Sequence, residues 1–284
     1  MKKIAYLGPE ATFTDIAVRN GFPEEERIPY LTIPACMDAV IEGEADLAVV
    51  PLENALEGTV NLTIDYLFHE ANLKIIGEMT APIQQHLLVH KDHLADWDQA
   101  EKIMSHPHAI AQCHKFLHTH FHGTSFEQMT STAAAAQYIS EHPEHRYAAI
   151  ANSLSAKQYD LAIAKENIHD YSYNHTRFIV LAKEEQELTM PLTNPLDKTT
   201  IVVTLPSDRA GALYQVLSAF SWRDISLSKI ESRPLKTGLG NYFFIIDIAQ
   251  KVDDILLPGA FAEMEALGCS VQVLGSYQAY SIEN

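Results

Sequence analysis

The chain has 284 residues, a length that divides into roughly two domains of ordinary size. Its 20 Lys and Arg face 37 Asp and Glu, and the formal net charge of -17 argues against a nucleic-acid binder, which carries a basic patch or stripe. Hydrophobic residues at 47% can build a sizeable core, yet no apolar run approaches the ~18 residues of a membrane span.

The first predicted element is a strand over Ile4–Leu7, ending at Gly8-Pro9 and followed by a helix through Phe13, Ile16 and Ala17. Further strands are expected at Leu47–Val50, stopped by Pro51, and at Leu73–Ile76, His86–His90, Ile103-Met104, Ser125–Met129, Tyr147–Ala151 and Phe178–Leu181. Helices are expected between them, including Pro107–Phe121 and Thr132–Ile139. Such alternation predicts an α/β layer with mostly parallel pairing. Ligands of these sheets bind at the carboxyl ends of strands, so the loops after Leu7, Val50, Met104 and Met129 matter most.

Lys183–Asp197 reads as a linker, a polar charge run punctuated by Pro191 and Pro195. Beyond it come a strand (Thr199–Leu205), a helix (Ala210–Phe220), strands at Ile225–Glu231 and Tyr242–Ala249, a helix (Asp254–Leu267) and a last strand (Ser270–Tyr277). This βαββαβ order is the ferredoxin-like arrangement. From Lys198 onward 7 basic and 9 acidic residues nearly balance, so the acidic excess lies in the first 197 residues.

Cys36, Cys113 and Cys269 are odd in number and far apart, which suggests neither a disulfide framework nor a thiol zinc site. Met1-Lys2-Lys3 leads straight into a strand-like run instead of a signal peptide, so a reduced, cytoplasmic protein is expected. All 14 histidines lie between His69 and His175, and His114 and His118 have the i, i+4 spacing of metal ligands. No carboxylate or thiolate completes a clear set, so a solvated helix face is expected there and no metal.

The strand-to-helix turns carry the chemistry. Gly8-Pro9-Glu10-Ala11-Thr12-Phe13-Thr14 sets hydroxyls and N–H groups at a helix start, where anions are favoured; a plain N-cap by Thr12 or Thr14 is the alternative. Pro51-Leu52-Glu53-Asn54 places a carboxylate and an amide just past a buried strand. Ser105-His106-Pro107-His108-Ala109-Ile110-Ala111-Gln112-Cys113 and Ser131-Thr132-Ala133-Ala134-Ala135-Ala136 cap further helices, and Asn174-His175-Thr176-Arg177-Phe178 precedes the last apolar run of the first part. Together with Gly211-Ala212-Leu213 and Glu231-Ser232-Arg233-Pro234, and in this order, they resemble the prephenate dehydratase family with a C-terminal ACT regulatory domain. The resemblance covers nearly the whole chain. Ala11 stands where the family usually has Gly, so the turn is expected not to need positive φ. Ala55 replaces a usual Ser, and His108 a usual Gln.

The resemblance implies a two-lobed, periplasmic-binding-protein-like catalytic domain over 1–182, with lobes of about 1–81 plus 165–182 and of 82–164. A linker over 183–197 and a ferredoxin-like ACT domain over 198–284 would follow. It implies decarboxylating dehydration of prephenate to phenylpyruvate, driven by aromatisation and needing no cofactor; the sequence has no glycine-rich dinucleotide or phosphate loop. In this reading Thr176 stands at the leaving hydroxyl. It is a poor acid by pKa, hence an oriented hydrogen-bond donor. Asn54, Gln112 and Ser105 complete the catalytic set. Arg177 is expected to grip a substrate carboxylate in bidentate fashion, with a structural ion pair as the alternative. Thr12, Ser131, Thr132, Phe178 and Glu53 fill out the substrate site, Glu53 by orienting Asn54 or a backbone group, since it would stand beside a dianion. L-phenylalanine is the implied allosteric inhibitor, bound by Gly211, Ala212, Leu213, Glu231, Ser232, Arg233 and Pro234 between two ACT domains of a homodimer or homotetramer. Arogenate as substrate stays open. A non-catalytic amino-acid sensor is the competing class, and the intact Thr176-Arg177 pair speaks against it.

Overall fold

The computed structural model describes residues 1–207, 209–235 and 242–283. It is a mixed α/β structure with two sheets. The chain divides into two compact units, one containing Met1–Ala71 and Met79–Phe178, the other Asn72–Glu78 and Ile179–Ser281.

The chain begins with β1 (Lys3–Leu7), α1 (Phe13–Gly21), β2 (Glu26–Tyr30), α2 (Ile33–Glu42), β3 (Leu47–Asn54), β4 (Gly58–Thr59), α3 (Asn61–His69) and β5 (Lys74–Pro82). β1 lies between β2 and β3 and runs parallel to both. Ile4, Met37 and Leu47 are among the largest fully buried side chains. The helices start where a hydroxyl accepts a free N–H group: Thr12 from Asp15 N at 3.3 Å and Thr32 from Ala35 N at 3.2 Å.

The chain then builds β6 (His86–Val89), β7 (Lys102–Ser105), α4 (Pro107–Gln112), α5 (His114–His120), β8 (Ser125–Gln128), α6 (Thr132–Glu141), β9 (Tyr147–Ala151), α7 (Ser153–Gln158) and β10 (Ala162–Lys165), and returns in β11 (His175–Ala182). The second sheet has the order β10-β6-β9-β7-β8. β7 is parallel to β8 and β9, whereas β6 is antiparallel to β9 and β10, so this sheet is mixed where parallel pairing was expected. Strand alternation divides its core. Leu87, Ile103 and Ile150 pack on Cys113, Leu117 and Phe121, while Leu88, Met104 and Ala149 pack on Ala135, Ala136 and Ile139.

The expected helix over Pro107–Phe121 is two helices, broken at Cys113. Asp170 accounts for the break. Its N–H takes the Gln112 carbonyl at 2.7 Å, and its carboxylate accepts the Lys115 N–H at 3.2 Å, capping the second helix.

The second unit contains β12 (Thr193–Thr204), α8 (Ala212–Ser221), β13 (Leu227–Pro234), β14 (Tyr242–Ile248), α9 (Leu256–Ala266) and β15 (Ser270–Ser281). The strands lie in the order β13-β14-β12-β15, each antiparallel to its neighbour. β12 starts inside the expected linker, where Thr193 pairs with Ser281. Ile201, Val203, Val216, Phe220, Ile246 and Met264 form part of the core beneath both helices. Gly275 must lack a side chain, because a Cβ there would meet the Ile75 carbonyl oxygen at 1.9 Å. Among the described residues no helix is long and apolar enough to cross a membrane.

Candidate active site

A cavity of about 680 Å³ opens within the first unit. Its walls come from the starts of α1 and α6, the β3–β4 turn, α4, the crossing between the two sheets at Ile83–Gln85, and Thr176 and Phe178 at the start of β11. Thr12, Asn54, Gln112, Ser131, Thr132, Thr176 and Phe178 all line it. Seven of the sequence-derived site residues, far apart in the chain, therefore meet in one place.

Three do not line it. Ser105 is fully buried and donates its hydroxyl to the Ile150 carbonyl at 2.6 Å, tying β7 to β9. The cap of α4 is His106, whose Nδ1 accepts from His108 N at 3.4 Å. Arg177 and Glu53 form an ion pair at 2.6 Å. Thr176 and Phe178 turn to the cavity, so strand alternation carries Arg177 to the opposite face of β11. The arginine is thus held by a protein carboxylate, the structural ion pair that stood as the alternative to a grip on substrate.

Ala11 overturns another expectation. Its φ is 62°, in the left-handed region, with the side chain fully buried. Three hydrogen bonds hold it there: its N–H donates to Asp15 Oδ2 at 2.8 Å, and its carbonyl accepts from Asn152 Nδ2 at 2.9 Å and Ser155 Oγ at 3.0 Å. The last two bonds also tie the turn before α1 to the start of α7.

Thr176 sits in a chain of amides. Asn54 Nδ2 donates to Thr176 Oγ1 and to Asn174 Oδ1, both at 2.9 Å, and more distantly to the His175 carbonyl at 3.3 Å. Asn174 Nδ2 donates to Gln112 Oε1 at 3.2 Å, and Gln112 Nε2 donates to Glu57 Oε1 at 3.4 Å. Asn54 Oδ1 accepts the N–H groups of Leu56 at 3.0 Å and Glu57 at 3.1 Å. Since Thr176 Oγ1 accepts from Asn54, its own proton is available to the cavity.

Burial, reinforced by the neighbouring His108, lowers the His106 pKa and so favours the neutral ring. Burial also pushes the Cys36 thiol up to about 12 and raises that of Cys113, so neither is a ready nucleophile. Among the described residues no group of three or more His, Cys, Asp or Glu is arranged to hold a metal.

The sequence reading missed Asn174, Glu57 and Gln85. Asn174 is nearly fully buried two positions before Thr176, and Glu57 follows Asn54 within the same turn; both positions were a local signal. Gln85 is buried, lines the cavity, and its Oε1 has no hydrogen-bond partner among the described residues. Nothing in its neighbours' residue types marks it.

A family model described as prephenate dehydratase matches residues 4–186. The chain is 56% identical over 285 residues to the prephenate dehydratase of Bacillus subtilis, covering 99% of this chain and 100% of that one. It is 44% identical over 281 residues to that of Lactococcus lactis subsp. cremoris, covering 99% of each. A crystal structure of prephenate dehydratase in complex with L-Phe, from Arthrobacter aurescens, matches with a TM-score of 0.84 at 35% identity, over 97% of this chain and 89% of that one. With the family's signature residues gathered around one cavity and these matches running along the chain, the protein belongs to the prephenate dehydratase family, enzymes of the dehydratase (lyase) type.

Proposed function

We propose that the cavity binds prephenate and that Thr176 donates a hydrogen bond to the departing ring hydroxyl. The bond from Asn54 Nδ2 to Thr176 Oγ1 at 2.9 Å carries this reading, because it commits the threonine oxygen as acceptor and aims its proton elsewhere. In the reaction the bond from the ring to its carboxylate breaks, and that electron pair moves through the diene. The carbon–oxygen bond at the far side of the ring breaks in turn. Carbon dioxide leaves, the hydroxyl takes up a proton as water, and the aromatic ring of phenylpyruvate remains. Aromatisation supplies the driving force, so the protein's part is to orient the substrate and stabilise charge on the leaving oxygen.

The starts of α1 and α6 both border the cavity, and the N–H groups and partial positive charge of helix N-termini favour carboxylates. They suit a dianion although the unit around them is acidic, since the attraction is local. Phe178 offers an apolar wall to the ring, and the unpartnered Gln85 Oε1 offers an acceptor for the hydroxyl's own proton. The two sheets of the first unit are read as the lobes of a binding-protein-like catalytic domain extending to about residue 182. Turnover of prephenate to phenylpyruvate by the purified protein, set beside arogenate, tests the assignment. Equal or better turnover of arogenate would reassign the substrate.

We further infer that the C-terminal part, from about residue 198, is an ACT domain that binds L-phenylalanine as feedback inhibitor. Its βαββαβ order and antiparallel sheet support this, as does the L-Phe bound in the related crystal structure. β12 and β13 run in the same direction, so the start of α8, with Gly211, Ala212 and Leu213, and the end of β13, with Glu231, Ser232, Arg233 and Pro234, fall at one end of the sheet. Gly211 has φ 84°, and a Cβ on it would meet no atom of the described residues within 4 Å, leaving room for a ligand or a second copy of the chain. Glu231→Ala is expected to keep turnover and lose inhibition by L-phenylalanine; full inhibition of that variant would contradict the assignment.

A further inference from the structure

Four side chains around Thr176 close a ring of hydrogen bonds with a single polarity. The Glu57 N–H donates to Asn54 Oδ1 at 3.1 Å, and Asn54 Nδ2 donates to Asn174 Oδ1 at 2.9 Å. Asn174 Nδ2 donates to Gln112 Oε1 at 3.2 Å, and Gln112 Nε2 returns to the Glu57 carboxylate at 3.4 Å. Each amide in the circuit uses its oxygen toward one neighbour and its nitrogen toward the next. Turning any one of them over would set oxygen against oxygen and N–H against N–H. A carboxylate accepts only, and a backbone N–H donates only, so Glu57 fixes the direction of travel at both ends.

We propose that Asn174 and Glu57 are positioning residues that lock this polarity and thereby make Thr176 a donor toward substrate. This role rests on the reading of Thr176 given above. Asn174 is the member without another task. It is 2% exposed and absent from the cavity wall, and both ends of its amide are spent on Asn54 and Gln112. It reaches them from the return crossing, while Asn54 ends a strand of the first sheet and Gln112 ends a helix packed beside the second. The ring therefore spans both lobes, and the Thr176 hydroxyl is a spur on its Asn54 corner. With Asn54 Nδ2 directed at Thr176 Oγ1, the threonine proton cannot be used up on the asparagine.

Reversing charge and amide around the ring tests this. Asn174→Asp keeps the acceptor for Asn54 but turns a second oxygen on Gln112 Oε1. At neutral pH kcat is expected to fall by about 10²-fold, the cost of a small misplacement of a reacting group, with a lesser change in KM. The loss is expected to shrink as pH falls toward the carboxyl range of about 4, where a protonated Asp regains a donor for Gln112. The titratable groups around the ring (Glu57, His106, His108, Asp170 and His175) are all present in the parent enzyme, so the difference between the two pH profiles belongs to position 174. The double variant Glu57→Gln with Asn174→Asp lets Gln112 turn over between an amide donor and a carboxylate, and is expected to recover about tenfold over the single variant. Glu57→Ala, on a partly exposed turn and without risk to the core, is expected to lower kcat without raising KM. Parent-like kcat in Asn174→Asp, or a loss constant with pH and unrelieved in the double variant, would overturn the proposal. So would parent-like kcat in Glu57→Ala. Should Thr176→Val itself stay active, the reading of Thr176 fails first, which separates the two.

Discussion

Arg177 Nη1 donates to Glu53 Oε2 at 2.6 Å, and the two side chains are 17% and 27% exposed. A charge-assisted bond of this kind, largely shielded from water, contributes to the sheet between β3 and β11. Arg177→Gln is expected to cost about 1.5–3 kcal/mol in urea unfolding, the range for hydrogen bonds to charged groups, while KM for prephenate changes little. A large rise in KM at unchanged stability would return this arginine to the substrate.

Asn54→Asp addresses the amide that serves Thr176. The Asp side chain still accepts the N–H groups of Leu56 and Glu57, so the turn is kept. It offers no proton to Thr176 and would instead attract the threonine's own. Loss of a positioned donor lowers kcat by about 10²- to 10³-fold, and that is the expected fall, with KM changed less. Retention of parent kcat would mean that the orientation of the Thr176 proton is immaterial.

The sequence was informative where chemistry concentrates and weak where it does not. Motif residues such as Thr12, Asn54, Gln112 and Thr176 were legible because helix starts and strand ends limit what each can do. Arg177 and Glu53 pair with each other away from the cavity wall for a physical reason. They follow or precede site residues by one position, and in a strand one position means the opposite face. β2 went unnoticed because its Glu26-Arg27-Ile28-Pro29-Tyr30 sequence is charged, only partly buried and interrupted by a proline, as suits the edge of a sheet. The break at Cys113 depended on Asp170, far along the chain. The left-handed Ala11 depended on Asn152 and Ser155, likewise remote. Local reading had no access to these partners.

The second unit holds a buried polar network that the sequence did not announce. Lys198 Nζ donates to Glu78 Oε1 at 2.7 Å, and Tyr277 and Thr200 extend the network to Asp247. Glu78 is 1% exposed. Lys198→Met leaves that buried carboxylate without its cationic partner and is expected to cost about 3–5 kcal/mol of stability. Adding Glu78→Gln should recover part of the loss in thermal or urea unfolding. An undiminished loss in the double variant would show that the lysine acts through packing alone.

His86 and His106 should make stability depend on pH. Burial lowers the pKa of each in the folded state. The unfolded chain therefore binds more protons below the ordinary histidine value of about 6.5, and stability present above that value is lost as pH falls through the folded pKa. His86 Nδ1 accepts the Asn167 N–H at 3.0 Å, a bond that an asparagine oxygen can replace. His86→Asn is expected to flatten the fall in urea midpoint between neutral and mildly acidic pH. An unchanged slope would show that His86 contributes nothing to it.

The most direct measurement is steady-state conversion of prephenate to phenylpyruvate by Thr176→Val beside the parent enzyme. Valine keeps the shape of threonine and removes only the hydroxyl. A fall in kcat of about 10²- to 10³-fold, the cost of losing one positioned donor, is predicted at a KM near that of the parent. A variant that turns over prephenate at the parent rate would contradict the role of Thr176 and the mechanism built on it.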